Sequence, residues 1–189
     1  MSVIDERSGA AAFGVASYMA VFVDMDAVLL DAHQGRRGME INVQGDIAEG
    51  LKRLAQVSDR IVVLAFPKHS ESRRDPSTES RIDVLRDGLD GAADGVEIVT
   101  CPHAGGECEC AKPGVGLIKV AQAKVSGDDH KGWFIGADQQ GVQSGRQAGL
   151  RTVRVGPAGA DHMSSVHKPD YEARDLLDAA NHILIEELA

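Results

Sequence analysis

An α/β fold, with a Rossmann-like parallel sheet and helices on both faces, is what this sequence predicts. Three observations point to it. Short aliphatic runs alternate with segments whose apolar residues recur at the helical period. The first of those runs ends on an aspartate, and sites on such sheets lie at the carboxyl ends of the strands. The chain has 189 residues, 43% hydrophobic and 26% charged, which suits one domain with a sizeable core.

Residues 1–18 read as a flexible N-terminal tail and residues 19–189 as the domain. The stretch 9–23 is fairly apolar, but Asp5 and Glu6 stand where a secretion signal would be positive. Val21, Phe22 and Val23 form the first strand. Asp46 can cap a helix whose apolar face is Ile47, Leu51 and Leu54. Residues 61–64 are a second strand. Asp75 and Pro76 are a cap and a first helical position, followed by the stripe Ile82, Leu85 and Leu89, with Gly88 and Gly91 at the exit. Residues 96–99 are a third strand, and Pro113 starts a helix that turns Leu117, Val120, Ala121 and the stem of Lys124 inward. Residues 133–135 are a fourth strand, followed by a glycine-rich turn and a helix ending at Gly149. Residues 152–155 are a fifth strand, and residues 171–188 read as one closing helix.

Charge and composition narrow the function. A net charge of −9 argues against a broad nucleic-acid footprint, which needs clustered Lys and Arg. A small phosphorylated substrate stays open, because it needs only a local positive pocket or a metal ion. No stretch is apolar enough for a membrane span, and a cytoplasmic location is expected. All three cysteines lie between positions 101 and 110, which is no disulfide framework.

The cysteine segment runs Cys101-Pro102-His103, then Ala104 to Glu107, then Cys108-Glu109-Cys110. Three thiolates and an imidazole satisfy the tetrahedral preference of zinc. The C-x-H and C-x-C pairs can bite from two sides, while Gly105 and Gly106 let the loop fold back. A redox pair or incidental cysteines are the competing readings, but a Cys108–Cys110 disulfide would be strained and would leave Cys101 and His103 without a role. A zinc site of this kind is coordinatively full, so its role is structural.

Two further segments carry chemistry. The first strand delivers Asp24 and Asp26, two carboxylates two residues apart. Such a pair suits phosphoryl transfer: one acid attacks phosphorus, the other handles the leaving-group proton. An Asp-rich strand end is also a common turn. Lys112, just ahead of Pro113, can place an ammonium beside a phosphate, although a lone lysine is by default a surface residue. His33, His69, His130, His162 and His167 lack paired metal spacing and read as surface or loop residues. Arg73 and Arg74 beside Ser72 read as a solvated loop.

Taken in order, these segments resemble the haloacid-dehalogenase (HAD) superfamily. More narrowly, they look like its subgroup of D,D-heptose 1,7-bisphosphate phosphatases and histidinol-phosphatase domains. The resemblance spans residues 21–155, and its specific part is C-P-H…C-E-C-A-K-P. It implies a HAD-type core with a zinc loop and no large cap domain. It further implies Asp24 as nucleophile, Asp26 as general acid and base, and Lys112 as the phosphate-side lysine. Magnesium would bridge Asp24, the Asp26 carbonyl and an acid from the loop after the fourth strand.

The sequence departs from that pattern at four places. Ala27 stands where the first motif usually has glycine. Leu64-Ala65-Phe66-Pro67 carries no hydroxyl where a Ser or Thr is usual, and Ser70 and Ser72 lie farther on. The last motif, G-D-x-x-x-D, is here Gly136-Ala137-Asp138-Gln139-Gln140-Gly141, with Asp138 one position late. Ala111 replaces an arginine. The leading reading is a magnesium-dependent phosphomonoesterase for a small phosphorylated sugar or polyol, with Asp138 completing the metal site. The alternative is a non-catalytic, zinc-stabilised scaffold that binds a ligand or a protein partner. The direction of Asp138 separates the two.

Overall fold

The computed structural model describes residues 19–33, 43–58, 60–67, 78–88, 95–103, 108–125, 132–157 and 168–189. Its six-stranded sheet has the order β3-β2-β1-β4-β5-β6, and every neighbouring pair is parallel. The strands are β1 (Ala20–Asp24), β2 (Arg60–Ala65), β3 (Val96–Thr100), β4 (Gly132–Gly136), β5 (Arg151–Val155) and β6 (Tyr171–Ala173). The helices are α1 (Met25–His33), α2 (Val43–Leu54), α3 (Thr78–Gly88), α4 (Gly116–Gln122), α5 (Gln139–Gln147) and α6 (Leu176–Leu188).

Alternation along each strand divides the core into two layers. Val21 and Val23 of β1, Ile61 and Val63 of β2, and Trp133 and Ile135 of β4 join one cluster with residues of α1, α2, α3 and α6. Ala20, Phe22, Val62, Leu64 and Phe134 point the other way, onto Leu117, Ile118 and Ala121 of α4 and onto Cys110. Both faces of the sheet are therefore covered, and β1 is buried along its whole length. The chain order reverses between β1 and β4. The crevice at the carboxyl ends of these two neighbours is the switch point where such sheets carry their sites.

Two sequence expectations need correction. The closing helix starts at Leu176, not at 171, and residues 171–173 add a sixth strand beside β5. Asp175 stops the helix there: its backbone is extended, and its carboxylate accepts the Asp178 N–H at 2.7 Å. The helix expected from Pro113 begins at Gly116. A series of turns intervenes, including Gly116 N–H to Glu109 carbonyl at 2.8 Å. At Ala27 the backbone is helical, and no described non-glycine residue has positive φ, so alanine carries no conformational cost there.

The N-terminal tail, the Asp46 side chain, Asp75, Pro76, Leu89 and Gly91 lie outside the described residues. So do Ser70, Ser72, Arg73, Arg74, Gly105, Gly106, the His33 side chain, His69, His130, His162 and His167. Among the described residues, no helix is long and apolar enough to cross a membrane.

Helix α5 lies close against β4 because position 145 is glycine. A Cβ there would stand 2.7–2.8 Å from three carbons of Phe134, which is itself fully buried. Gly145→Ala is expected to destabilise the fold by about 1–3 kcal/mol, the usual cost of overpacking a core. A urea melt would check this; an unchanged midpoint would mean that α5 shifts without cost.

Candidate active site and metal centre

The junction between β1 and α1 builds the first half of the site. Asp24 ends the strand and is 1% exposed. Its Oδ1 accepts the Asp26 N–H at 2.9 Å, which satisfies one of the free donors of the first helical turn. Asp26 sits in that turn and is half-buried. The two carboxylates therefore lie at one corner, one at a strand end and one in a helix start.

The second half comes from β4 and α5. Asp138 is the N-cap of α5, with extended backbone (φ −136°, ψ 171°). Its Oδ1 accepts the Gly141 N–H at 2.7 Å, and its Oδ2 accepts from Lys112 Nζ at 2.9 Å. Capping thus turns the carboxylate back over the site, and Asp138 faces Asp24. Gly141 lies against the same spot: a Cβ would stand 3.3 Å from Asp24 Oδ2 and 3.4 Å from Asp138 Oδ1. Ala137 packs against the core and offers no ligand.

Lys112 stands at the centre. Its ammonium donates to Asp24 Oδ2 at 2.7 Å, Asp26 Oδ2 at 3.2 Å and Asp138 Oδ2 at 2.9 Å. It also lies 5.4 Å from the centroid of the Phe66 ring, which occupies the end of β2 with Ala65 where a hydroxyl was expected. Burial works against the Lys112 charge, but Asp24, Asp138 and Asp26 outweigh it and raise the pKa. Burial pushes the Asp24 carboxyl up to about 6, Lys112 opposing it and Asp26 adding to it. Asp26 goes the other way: burial opposes its charge, yet Lys112 and Arg81 hold its carboxyl below the ordinary value.

Arg81, from α3, was missed by the sequence reading. Its Nη2 donates to Asp26 Oδ1, and its side chain is 11% exposed. In the sequence it is one of several charged residues in an amphipathic helix, and only the fold shows which of them turns inward.

The structure brings the four Cys and His side chains together. Cys101 Sγ lies 3.4 Å from His103 Nδ1 and 3.5 Å from Cys108 Sγ, and Cys110 Sγ lies 3.5 Å from His103 Nδ1. Ligands tetrahedral about zinc, at bond lengths of about 2.0–2.3 Å, stand roughly 3.5–3.8 Å apart, so the residues fit that ion. Burial, with the neighbouring thiols, pushes the Cys110 thiol up to about 12. The Cys101 hydrogen bond and the Cys110 N–H lower Cys108. Asp24, Asp26 and Asp138 form a second candidate group, with oxygens within 4.8 Å of one another. Hard carboxylate oxygens fit magnesium, with Lys112 now shared among them.

No protein-family model matches the chain, and no curated protein does. Solved structures do. D,D-heptose 1,7-bisphosphate phosphatase from B. bronchiseptica, complexed with magnesium and phosphate, superposes with a TM-score of 0.63 at 21% identity, over 89% of this chain and 99% of that one. The HAD hydrolase YfnB from Bacillus subtilis, bound to magnesium, gives 0.54 at 15% identity, over 88% and 98%. A dehalogenase with an intermediate complex gives 0.56 at 12% identity, over 89% and 98%. These likenesses show the fold: it is the Rossmann-like α/β fold seen in haloacid-dehalogenase-type structures.

Two outcomes are expected. Metal analysis of the purified chain should find roughly one zinc per chain, and Cys110→Ser should lose it. Zinc retained in full by that variant would rule the quartet out. The second concerns Asp24, whose carboxyl ionises less readily in the folded chain, at about 6, than at its ordinary 3.8. Its charge therefore costs stability above about pH 6, and the cost fades as the pH falls towards 4. Asp24→Asn should raise stability at pH 7.5 in magnesium-free buffer, by on the order of 2 kcal/mol, with the gain shrinking at pH 5. Melting curves at the two pH values would check it, and a variant less stable than wild type at both would count against a carboxyl destabilised by burial.

Proposed function

We propose that the chain is a phosphomonoesterase acting on a small phosphorylated sugar or polyol through an aspartyl-phosphate. The observation that carries this reading is the Lys112 ammonium within 2.7–3.2 Å of three carboxylates at the switch point of the sheet. A phosphoryl group entering beside Asp24 meets a buried nucleophile and a cation already in place.

In the first step Asp24 attacks phosphorus, the bond from phosphorus to the ester oxygen breaks, and Asp26 gives its proton to the departing oxygen. In the second, water attacks the aspartyl-phosphate, Asp26 takes the proton, and Asp24 is released with inorganic phosphate. Asp26 rests as an ionised carboxylate between Lys112 and Arg81. A dianionic phosphoryl group competes for Lys112 and so weakens its hold on Asp26, which favours the protonated form needed for the first step. Magnesium, held by Asp24, Asp138 and the Asp26 carbonyl, would add charge compensation at the phosphoryl oxygens. The zinc quartet lies two residues from Lys112, so its role here is to fix the segment that carries the lysine.

The second reading is a non-catalytic scaffold that binds a ligand or a protein partner. Ala65 and Ala137 favour it, because a phosphate-binding hydroxyl and one metal-side acid are both missing. Asp138 counts against it, since it faces Asp24 across Lys112.

Phosphate release from a panel of sugar and polyol phosphates, with magnesium present, tests the reading. Wild type should turn over at least one of them, and Asp24→Asn should lose activity by a factor of about 10³ or more. Folded, zinc-loaded wild type that releases no phosphate from any of them would favour the scaffold.

A further inference from the structure

The site brings two cations to three carboxylates, and they are used differently. Lys112 is spread over all three. Arg81 pairs, among the described residues, with Asp26. They also come from opposite layers. Arg81 is on α3, whose Ile82 and Leu85 pack with α1, α2 and α6. Lys112 follows Cys110, which packs on the other face with α4. Asp26 is thus held from both sides, and Arg81 marks the side away from the zinc loop.

Burying a guanidinium is costly unless an anion meets it. At 11% exposure, Arg81 has been brought into the site by the fold and is not a surface side chain lying across it. Its planar fork carries five N–H donors and matches carboxylate or phosphate oxygens two at a time. The pairing with Asp26 uses one of its terminal nitrogens. In the reaction proposed above, Asp26 is the group that addresses the leaving oxygen, so the guanidinium borders the leaving group and not the phosphoryl group. Ala111, in the segment beside Lys112, supplies no further cation.

We infer that Arg81 recognises an anionic group, a carboxylate or a second phosphate, on the leaving-group half of the substrate. The inference rests on the phosphatase reading and narrows it to doubly anionic esters. Arg81 is then a specificity residue, and Asp26 holds it in place until such a substrate arrives.

The test compares matched substrates. Glycerol 3-phosphate and 3-phosphoglycerate differ by a carboxylate; fructose 6-phosphate and fructose 1,6-bisphosphate differ by a phosphate. kcat/KM would be measured for all four with full-length, zinc-loaded wild type, Arg81→Gln and Arg81→Lys. Both members of a pair use the same Asp24 and Asp26, so the ratio within a pair cancels any general effect of Arg81 on the acid. Wild type should favour the doubly anionic member of at least one pair by about tenfold or more, the worth of one charge-assisted contact. Arg81→Gln should bring that ratio to about one, and Arg81→Lys should keep part of it. Which pair responds tells carboxylate from phosphate. A wild type without preference, or a preference that survives Arg81→Gln, overturns the inference while leaving the phosphatase reading intact. A wild type that hydrolyses no phosphomonoester at all overturns both.

Discussion

Three carboxylates meet at the end of a buried strand, and a single ammonium keeps them together. Asp24 is buried, Asp26 is half-buried and Asp138 lies at the mouth of the site, and Lys112 stands between all three and offsets their mutual repulsion. Much of the local structure serves to put that ammonium there. The turns from Cys108 to Gly116 tie the Cys/His loop to the start of α4. Gly114 and Gly116 approach the backbone of Glu109 so closely that a Cβ at either would stand 2.3–2.7 Å from its carbonyl oxygen. Phe66 closes the lysine in from the β2 side. A zinc ion on Cys108 and Cys110 would therefore act on the site through two residues of backbone, without touching it.

The sheet supplies the other half of the arrangement. Because β1 lies between β2 and β4, its carboxyl end opens at the point where the chain order reverses. Full burial of β1 makes Asp24 costly to ionise, and the same burial keeps water from screening Lys112. A strand end that was half-exposed would give a more comfortable carboxylate and a weaker field. The site thus draws its electrostatic strength from the packing that makes it expensive to fold.

Much of this was legible in the sequence, for identifiable reasons. The Cys/His quartet is local, so its spacing of two, five and two residues already encodes the geometry. The strands before Asp24 and Ala65 are short aliphatic runs that suit few other structures. Arg81 was not legible: α3 is amphipathic and rich in charge, and which of its polar residues turns inward depends on how the helix is rotated against the sheet. The β6 strand was hidden by Leu176, Ala179, Ala180 and Ile183, whose helical period invites extension backwards past the Asp175 cap. Asp138 was read as a residue out of place because only its position in the motif was considered. Its role as a helix cap, which decides the direction of the side chain, depends on where α5 begins.

The altered last motif can now be understood in terms of charge and not of lost residues. Two acids are missing from the resembling pattern, and one has appeared at the cap. A Cβ at position 141 would stand 3.3 Å from Asp24 Oδ2 and 3.6 Å from Lys112 Cδ, so a carboxylate there would crowd a fourth negative charge onto the same lysine. With Asp138 alone, three carboxylates face Lys112 and Arg81, and one negative charge is left over. A site that kept both acids and added Asp138 would need a further cation to hold together. On this argument the replacement at Gly141 belongs with the new carboxylate at Asp138: the site exchanges where its negative charge sits while keeping it near what two side-chain cations can hold.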